Sequence, residues 1–171
     1  MNLCKTCNNL IDKETKKKKK EAIKEKKRLS TSALIKELDT IFSMYIRLRD
    51  SNQKGMFDCC TCGKTYDFSH LQAGHFRSRR LMNTRWNEKN VHGQCKACNI
   101  ILKGEEYKHS LHIDKTYGEG TALLILKESE SIKKFAGFEL LDLIEMYKKK
   151  AKKLADEKQF TLPLTFKVLD Q

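Results

Sequence analysis

Proline and long apolar runs are scarce in this sequence, and acidic side chains are outnumbered by basic ones. The single proline is Pro163, and the longest apolar run, residues 122–126, is far shorter than the roughly 18–20 residues that span a bilayer. The first residues, Met1 to Cys4, contain no apolar stretch that would serve as a signal peptide. We therefore expect neither a membrane protein nor a secreted one.

The excess of positive charge indicates a polyanionic partner. The 171 residues include 35 Lys and Arg against 22 Asp and Glu, which gives a formal net charge of +13. Nucleic acid is the default partner of so basic a chain. An anionic membrane surface is the weaker alternative, because the charges do not alternate with large apolar anchors.

Six of the seven cysteines form three Cys-x-x-Cys pairs, a spacing typical of metal ligands. In a reducing cytosol such pairs favour metal binding over disulfides. The pair Cys59 and Cys62 is followed by Gly63, whose backbone can turn tightly beneath a metal. Together with Cys95 and Cys98, this pair predicts a closed, structural Cys₄ zinc site.

The remaining three cysteines have other interpretations. Cys4 and Cys7 make half a site, which is a remnant, pairs with another subunit or is idle. We favour a remnant or idle pair, since no further Cys-x-x-Cys completes it. Cys60 is interpreted as a spare packing thiol.

Charge and periodicity divide the chain into four parts. Apolar residues recur at helical spacing within 33–50 and again from Phe138 to Leu154, and a short helix is predicted over 121–128. Between these stretches, short apolar runs and five glycines are typical of turns. The four parts are a basic N-terminal arm (1–32), an amphipathic helix (33–55), a zinc-bound core (56–106) and a helical C-terminal region (107–171).

Three polar residues lie in a fixed order around the Cys95–Cys98 pair. His75 lies between the two predicted zinc-binding Cys-x-x-Cys pairs, Asn90 precedes Cys95 by five residues, and Asn99 directly follows Cys98. This order resembles the HNH, or ββα-metal, nuclease motif, which has a first His, a central Asn and a final His or Asn on a helix. The resemblance implies an α+β protein with a zinc-bound ββα-metal core (HNH-like, treble-clef) and flanking helices.

Several further blocks extend the match to about residues 40–155, where the chain resembles the NinG (Rap) family of phage recombination nucleases. The resemblance implies a DNA endonuclease that uses a divalent metal on branched recombination intermediates, such as D-loops and Holliday junctions. It also implies a cytoplasmic location, on DNA in a bacterial host. The blocks are Tyr45–Asp50, Ala73–Phe76, Arg85–His92 and Gln94–Asn99 with Gly104.

The chemistry of phosphodiester hydrolysis suits the residues at the three HNH positions. His75 is the expected general base, because an imidazole with a pKa near ~6.5 is mostly neutral at cellular pH. Asn90 is expected either to accept a hydrogen bond from its N–H or to pin the loop that orients the ring. Asn99 is expected to offer an amide oxygen to Mg²⁺ or Mn²⁺, which prefer oxygen ligands.

One position departs from the HNH pattern. Many such enzymes place a metal-binding Asp or His directly before the base, where this chain has Gly74. Our first candidate for the missing ligand is His92, which shares strand parity with Asn90 if that segment is extended. Glu88 and Gln72 follow, although Gln72 faces away from His75 in a regular strand unless Gly74 forms a bulge.

Basic side chains beside the predicted site are expected to bind DNA phosphates without reading sequence. A junction has nearly twofold symmetry, so a homodimer that presents two sites would suit it. The expected DNA-binding residues are Arg77, Arg79, Arg80 and Arg85.

Two alternative functions stay open at this point. A non-catalytic zinc module that binds nucleic acid as an adaptor would need the two zinc-binding cysteine pairs and the positive charge but not His75. A sequence-specific HNH nuclease would keep the chemistry and cut unbranched duplex at one defined sequence.

Overall fold

The computed structural model describes residues 30–159. Two expectations lie wholly or almost wholly outside these residues: the basic arm (1–32), of which only residues 30–32 are described, and the Cys4–Cys7 pair.

Helix α1 (Thr31–Asp50) confirms the predicted amphipathic helix. Ser30 caps its start, where the side-chain oxygen accepts a hydrogen bond from the Ala33 amide at 3.2 Å. Leu34 and Leu38 are buried on one side of the helix, as their spacing requires. The helix ends at Asp50, where the apolar periodicity over 33–50 ends and five residues before the boundary drawn at 55.

Helix α4 (Gly137–Lys158) packs along α1 and forms the main core with it. The Phe42 and Tyr147 rings meet edge to face with centroids 4.8 Å apart. The Lys158 ammonium group donates to the carbonyls of Leu48 and Ser51 at the end of α1. The two helices therefore run in the same direction, and Trp86 and Val91 complete the core from the segment between them.

Two small antiparallel sheets lie between these helices in the chain. Strands β1 (Met56–Asp58) and β2 (Thr65–Asp67) form the first sheet. After a single 3₁₀ turn, β3 (Leu71–His75) pairs with β4 (Val91–Cys95) in the second. Because β1 ends directly before one cysteine pair and β4 ends within the other, the sheets bring the two pairs together.

Three short helices follow the second sheet. One turn of π-helix (Ala97–Ile101) contains Asn99, and α2 (Glu106–Tyr117) and α3 (Thr121–Ser129) pack on each other through Ile113, Ala122 and Ile125. Helix α3 confirms the short helix predicted over 121–128. Over residues 30–159, none of the helices combines the length and hydrophobicity needed to span a bilayer. The described part of the chain is thus a mixed α+β structure, as predicted.

Candidate functional site

Four cysteine sulfurs form a cluster that can hold a zinc ion. Their Sγ atoms all lie within 4.8 Å of one another. Tetrahedral coordination with Zn–S bonds of about 2.3 Å separates the sulfurs by about 3.8 Å, so the cluster is near the required size. The four residues are those predicted from the Cys-x-x-Cys spacing: Cys59, Cys62, Cys95 and Cys98.

The local backbone explains how the first pair reaches this geometry. Gly63 has a φ of +69°, and its amide donates to the Cys59 carbonyl at 2.8 Å. Burial by itself would raise the pKa of the Cys59 thiol. Hydrogen bonds from the Thr61 side chain and the Cys95 amide outweigh this effect and lower the pKa to about 6. Cys59 is therefore poised as a thiolate, the form that binds metal.

Cys60 points away from this cluster. Its amide donates to the Gly93 carbonyl at 2.9 Å, and its side chain lines a separate pocket. Burial, with the nearby charge of Cys59, raises the pKa of the Cys60 thiol. The interpretation of Cys60 as a thiol that does not bind the metal agrees with this position.

His75 and Asn99 line one pocket of about 570 Å³. His75 stands at the end of β3, and Asn99 lies on the short helix that follows β4. Two acidic and three basic residues supply the charged part of the lining: Asp39, Glu106, Arg77, Arg79 and Lys103.

The imidazole of His75 is half-buried and neutral. Its Nε2 lies 3.1 Å from the Arg85 carbonyl oxygen. Because a carbonyl only accepts hydrogen bonds, Nε2 carries the proton and Nδ1 retains a lone pair. Burial lowers the pKa of His75 below 6.5, and the Arg79 charge adds to this, against the opposing effects of hydrogen bonds to the Arg85 and Ala73 main chain and of the Asp39 charge. The ring can therefore accept a proton at neutral pH.

Asn90 pins the loop that holds His75. Its Oδ1 accepts from the Arg77 amide at 2.7 Å, and its Nδ2 donates to the carbonyls of Arg77 and Thr84 at 3.0 and 2.8 Å. These three bonds go to main-chain groups on both sides of the loop whose Arg85 carbonyl meets His75. Of the two expected roles, the geometry fits loop positioning, and we treat Asn90 as a positioning residue.

The Asn99 amide is oriented by Gln72, the third candidate ligand. Asn99 Nδ2 donates to Gln72 Oε1 at 2.8 Å, which leaves Asn99 Oδ1 available as an acceptor. Over residues 30–159, the four cysteines are the only group of three or more His, Cys, Asp or Glu side chains close enough to hold a metal. A divalent ion beside Asn99 would thus depend largely on waters and substrate oxygens for its other ligands.

The register of β3 and β4 places His92 away from His75. Val91 stands opposite His75, and opposed residues share a face while successive residues alternate. His92 therefore points to the other face of the sheet. The structure does not bring this residue, our first candidate for the missing ligand, into the pocket of His75 and Asn99.

His92 belongs instead to a buried imidazole cluster. Its Nδ1 lies 3.0 Å from Nε2 of His109, and its Nε2 lies 3.2 Å from the Tyr117 hydroxyl. Burial lowers the pKa of His92 to about 2 and that of His109 to about 3. Both rings are neutral and packed inside the protein.

Neither Gly74, where the HNH pattern has a metal ligand, nor the second candidate ligand, Glu88, is placed to bind a metal in the pocket. A Cβ at Gly74 would lie 1.9 Å from Oε1 of the buried Gln94, so an acidic residue there would displace Gln94. The Glu88 carboxylate accepts from the Tyr45 hydroxyl and the Lys150 ammonium group, both at 2.6 Å. Glu88 therefore joins the two long helices and does not line the pocket.

The sequence from residue 3 to residue 157 matches the family described as "Bacteriophage Lambda NinG protein". The chain belongs to the NinG family. The protein ninG of Escherichia phage lambda is 29% identical over 86 residues, which are 50% of this chain and 40% of that protein. The chain thus matches less than half the length of this relative. No solved structure matches the present chain.

In this NinG-family chain, the four expected DNA-binding arginines divide into two groups. Arg85 is engaged internally: Nε and Nη2 donate to Asp39 at 2.9 and 2.5 Å, and Nη1 donates to the Arg79 carbonyl at 2.7 Å. Arg77 pairs with Glu106 at 2.5 Å. The side chains of Arg79 and Arg80 are exposed, and among residues 30–159 neither guanidinium group has an ion-pair partner. Only these last two are free to contact phosphates as the chain stands.

Sequence reasoning missed three charged residues of the pocket lining. Asp39 was indistinguishable from any polar residue on the outer face of α1, because its partners Arg85 and Trp86 lie more than 40 residues away. Lys103 and Glu106 lie in the stretch after Asn99, where their charges alone carried no signal. The glycine that follows Lys103 is a usable hint of a chain reversal, and the structure has one there, with φ values of +53° at Lys103 and +90° at Gly104.

Proposed function

We propose that this NinG-family chain is a divalent-metal-dependent endonuclease that hydrolyses phosphodiesters in branched DNA intermediates, such as D-loops and Holliday junctions. The observation that carries the proposal is the shared pocket, which combines the neutral His75 imidazole with the Asn99 amide. The order of β3, β4 and the short helix beside a Cys₄ cluster supports an HNH-like ββα-metal core. We propose that the chain acts in the cytoplasm of a bacterial host.

His75 acts as the general base in the proposed reaction. A water oxygen attacks phosphorus while its proton moves to Nδ1 of His75, the P–O bond to the leaving strand breaks, and the leaving oxygen takes a proton from solvent. The Arg85 carbonyl holds Nε2–H, which leaves the lone pair of the neutral ring on Nδ1. Asp39 and Asn90 fix the loop from which that carbonyl projects.

Asn99 is the residue that would hold the divalent ion, through Oδ1, with Gln72 fixing the amide. Mg²⁺ or Mn²⁺ bound there supplies neutralisation of charge on the phosphate and the leaving oxygen. These hard ions commonly keep several waters and take substrate phosphates as ligands, which suits a pocket with one available amide oxygen.

Zinc in the Cys₄ cluster has a structural role in this proposal. The cluster joins the turn after β1 to the end of β4 and to the short helix that presents Asn99. Four thiolates leave no open coordination position for substrate, so this ion takes no part in the chemistry.

The charge distribution supports recognition of DNA through its backbone. Arg79 and Lys103 line the pocket, Arg80 is exposed beside it, and the chain carries a net charge of +13. Phosphate contacts of this kind position a substrate by its shape without reading bases. A homodimer presenting two such pockets would match the near twofold symmetry of a junction.

Cleavage of a synthetic four-way junction in Mn²⁺ or Mg²⁺ tests the proposal. We expect His75→Ala to lower the cutting rate by about 10²- to 10⁴-fold, the usual contribution of a general base, with zinc content and junction binding unchanged. The exposed His70 offers a matched control, His70→Ala, which is expected to cut normally. The wild-type rate should rise with pH through an apparent pKa below 6.5 and then level off, because His75 must be neutral.

Three results would each overturn part of this proposal. Binding without cutting of any branched, looped or duplex DNA by the wild type would favour the zinc adaptor. Cutting of unbranched duplex at one defined sequence, equal to that of a junction, would favour a sequence-specific nuclease. Full activity of His75→Ala would remove His75 as the base.

A further inference from the structure

An exposed apolar surface follows directly from the pocket residue Asn99. Tyr107 and Ile101 are 76% and 72% exposed and belong to a run of exposed large apolar side chains, and grouped apolar residues of this kind mark interaction sites. We use the name apolar ridge for the exposed large apolar residues of the stretch after Asn99: Ile100, Ile101, Leu102, Tyr107 and Leu111.

The ridge residues lie on both sides of a chain reversal whose Lys103 and Gly104 line the pocket. Lys103, Gly104 and Glu105 have successive φ values of +53°, +90° and +50°, which reverse the chain between the short helix and α2. The Gly104 amide donates to the Cys98 carbonyl at 2.8 Å, so this reversal is fixed to the Cys₄ cluster. Tyr107 lies one turn before the fifth ridge residue on α2, and the two share a face.

The charges around the ridge favour an anionic partner. Lys96 and Lys103 are exposed on either side of the Ile-Ile-Leu run, and among residues 30–159 neither ammonium group has a carboxylate partner. The nearby acids are already neutralised, since Glu105 pairs with Lys108 at 3.1 Å and Glu106 pairs with a pocket arginine at 2.5 Å. The ridge is therefore apolar at its centre and positive at its edges.

We propose that the apolar ridge binds unstacked nucleobases at a DNA branch, with Tyr107 as the stacking platform and Ile101 as a wedge. This inference rests on the proposed nuclease function and names how that site prefers branched substrates. Aromatic side chains stack on bases of any sequence, and apolar side chains insert where base steps are open. A branch point exposes base faces that an intact duplex keeps stacked, while the flanking lysines meet its phosphates.

Binding to two DNA forms tests this inference without requiring cleavage. Fluorescence anisotropy in Ca²⁺ compares a four-way junction with a linear duplex of equal length, each against wild type and Tyr107→Ala. We expect Tyr107→Ala to weaken junction binding about ten-fold, as loss of one stacked base does, and to change duplex binding less than two-fold. Tyr107→Phe should bind like wild type, because it keeps the ring.

A matched control and a direct probe sharpen the comparison. Leu124 is 67% exposed on α3, outside the pocket and the ridge, and Leu124→Ala should leave both affinities unchanged. A 2-aminopurine placed at the crossover should lose fluorescence when wild type stacks on it, and should keep its fluorescence with Tyr107→Ala.

Equal losses on junction and duplex, or an unchanged junction affinity in the Tyr107→Ala, Ile101→Ser double variant, would overturn the inference. The inference would also fail if the double variant changed from dimer to monomer in sedimentation while the ratio of junction affinity to duplex affinity stayed the same. The ridge would then be a contact between copies of the chain. A wild type that binds junctions through the ridge but cuts nothing would keep this inference and reject the nuclease. Cutting with a junction preference that Tyr107→Ala leaves intact would do the reverse.

Discussion

The two faces of the β3–β4 sheet each carry a histidine, and the surroundings of the two rings differ. On one face His75 is half-buried and lines a pocket with Asn99. On the other face His92 is 3% exposed and contacts His109 and Tyr117. Residue type alone therefore does not identify a candidate base, since a buried imidazole cannot meet a water molecule.

The protonation state does not separate the two histidines. Burial lowers the pKa of both His75 and His92, so both are neutral at pH 7. The difference lies in their surroundings: His92 is buried with a side-chain partner at each ring nitrogen, whereas His75 bonds main-chain groups and lines a pocket. A ring that faces an open pocket is what distinguishes a candidate base from a packing residue.

Loss of the Cys₄ cluster should have the largest effect, because it supports both faces. We expect Cys98→Ser to lose bound zinc and to unfold the sheet region, since structural zinc contributes its binding energy to folding. Metal analysis and thermal unfolding measure both consequences. Cys60→Ser changes the neighbouring thiol outside the cluster and should keep the zinc. A folded, zinc-free Cys98→Ser protein would contradict the structural role of the cluster.

The second largest effect should be a loss of stability in acid, caused by the buried histidines on the His92 face of the sheet. In the folded protein the pKa values of His92 and His109 are about 2 and 3, against about 6.5 when unfolded. The unfolded state therefore binds more protons below pH 6.5, so these groups give full stability above that pH. As pH falls below 6.5, the free energy of unfolding should therefore fall, because the unfolded state takes up protons that these two neutral rings do not.

Urea unfolding at pH 7, 6 and 5 measures this loss. His92→Gln removes one titrating ring, and its stability should fall less steeply with pH than that of wild type. The shared loss from protonation of the cysteine thiolates cancels in this comparison. Parallel slopes for the two proteins would show that His92 is not kept neutral by burial.

Charge changes on the His75 face should have the smallest effect. Arg79→Gln and Arg80→Gln should each lower the salt dependence of DNA binding by about one phosphate contact, with stability unchanged. Arg85→Gln provides the contrast, because its guanidinium bonds Asp39 and the Arg79 carbonyl. This variant should lose stability and keep the salt slope. An altered slope for Arg85→Gln alone would reverse our assignment of these arginines.

The features that depend on local pattern were predicted well. Helix α1 followed from the recurrence of Leu34 and Leu38 with a serine cap, and helix α3 from its apolar run. The cysteine cluster followed from spacing, since two Cys-x-x-Cys pairs constrain the backbone wherever they meet. The placement of His75 and Asn99 in one pocket agrees with the order of the motif.

The features that depend on long-range contacts were not predictable. His92 was expected at the metal on strand parity, but the parity that matters is relative to His75 and depends on the register of β3 and β4. Arg85 was expected on DNA, but Asp39 lies 46 positions earlier in the chain and takes its charge. Neither register nor such a pair leaves a periodic signal in the sequence.

The sequence by itself determined which side chains are available and which neighbours they have: a basic chain, two cysteine clamps, and a histidine and an asparagine in HNH order. The tertiary structure alone decided which of these groups meet water. Local spacing constrains only a few turns of backbone, whereas burial depends on how α1, the β3–β4 sheet and the turn after Asn99 pack together. For that reason the His75 imidazole lines an open pocket, while three other imidazoles pack against one another, partly or wholly buried: His92, His109 and His112.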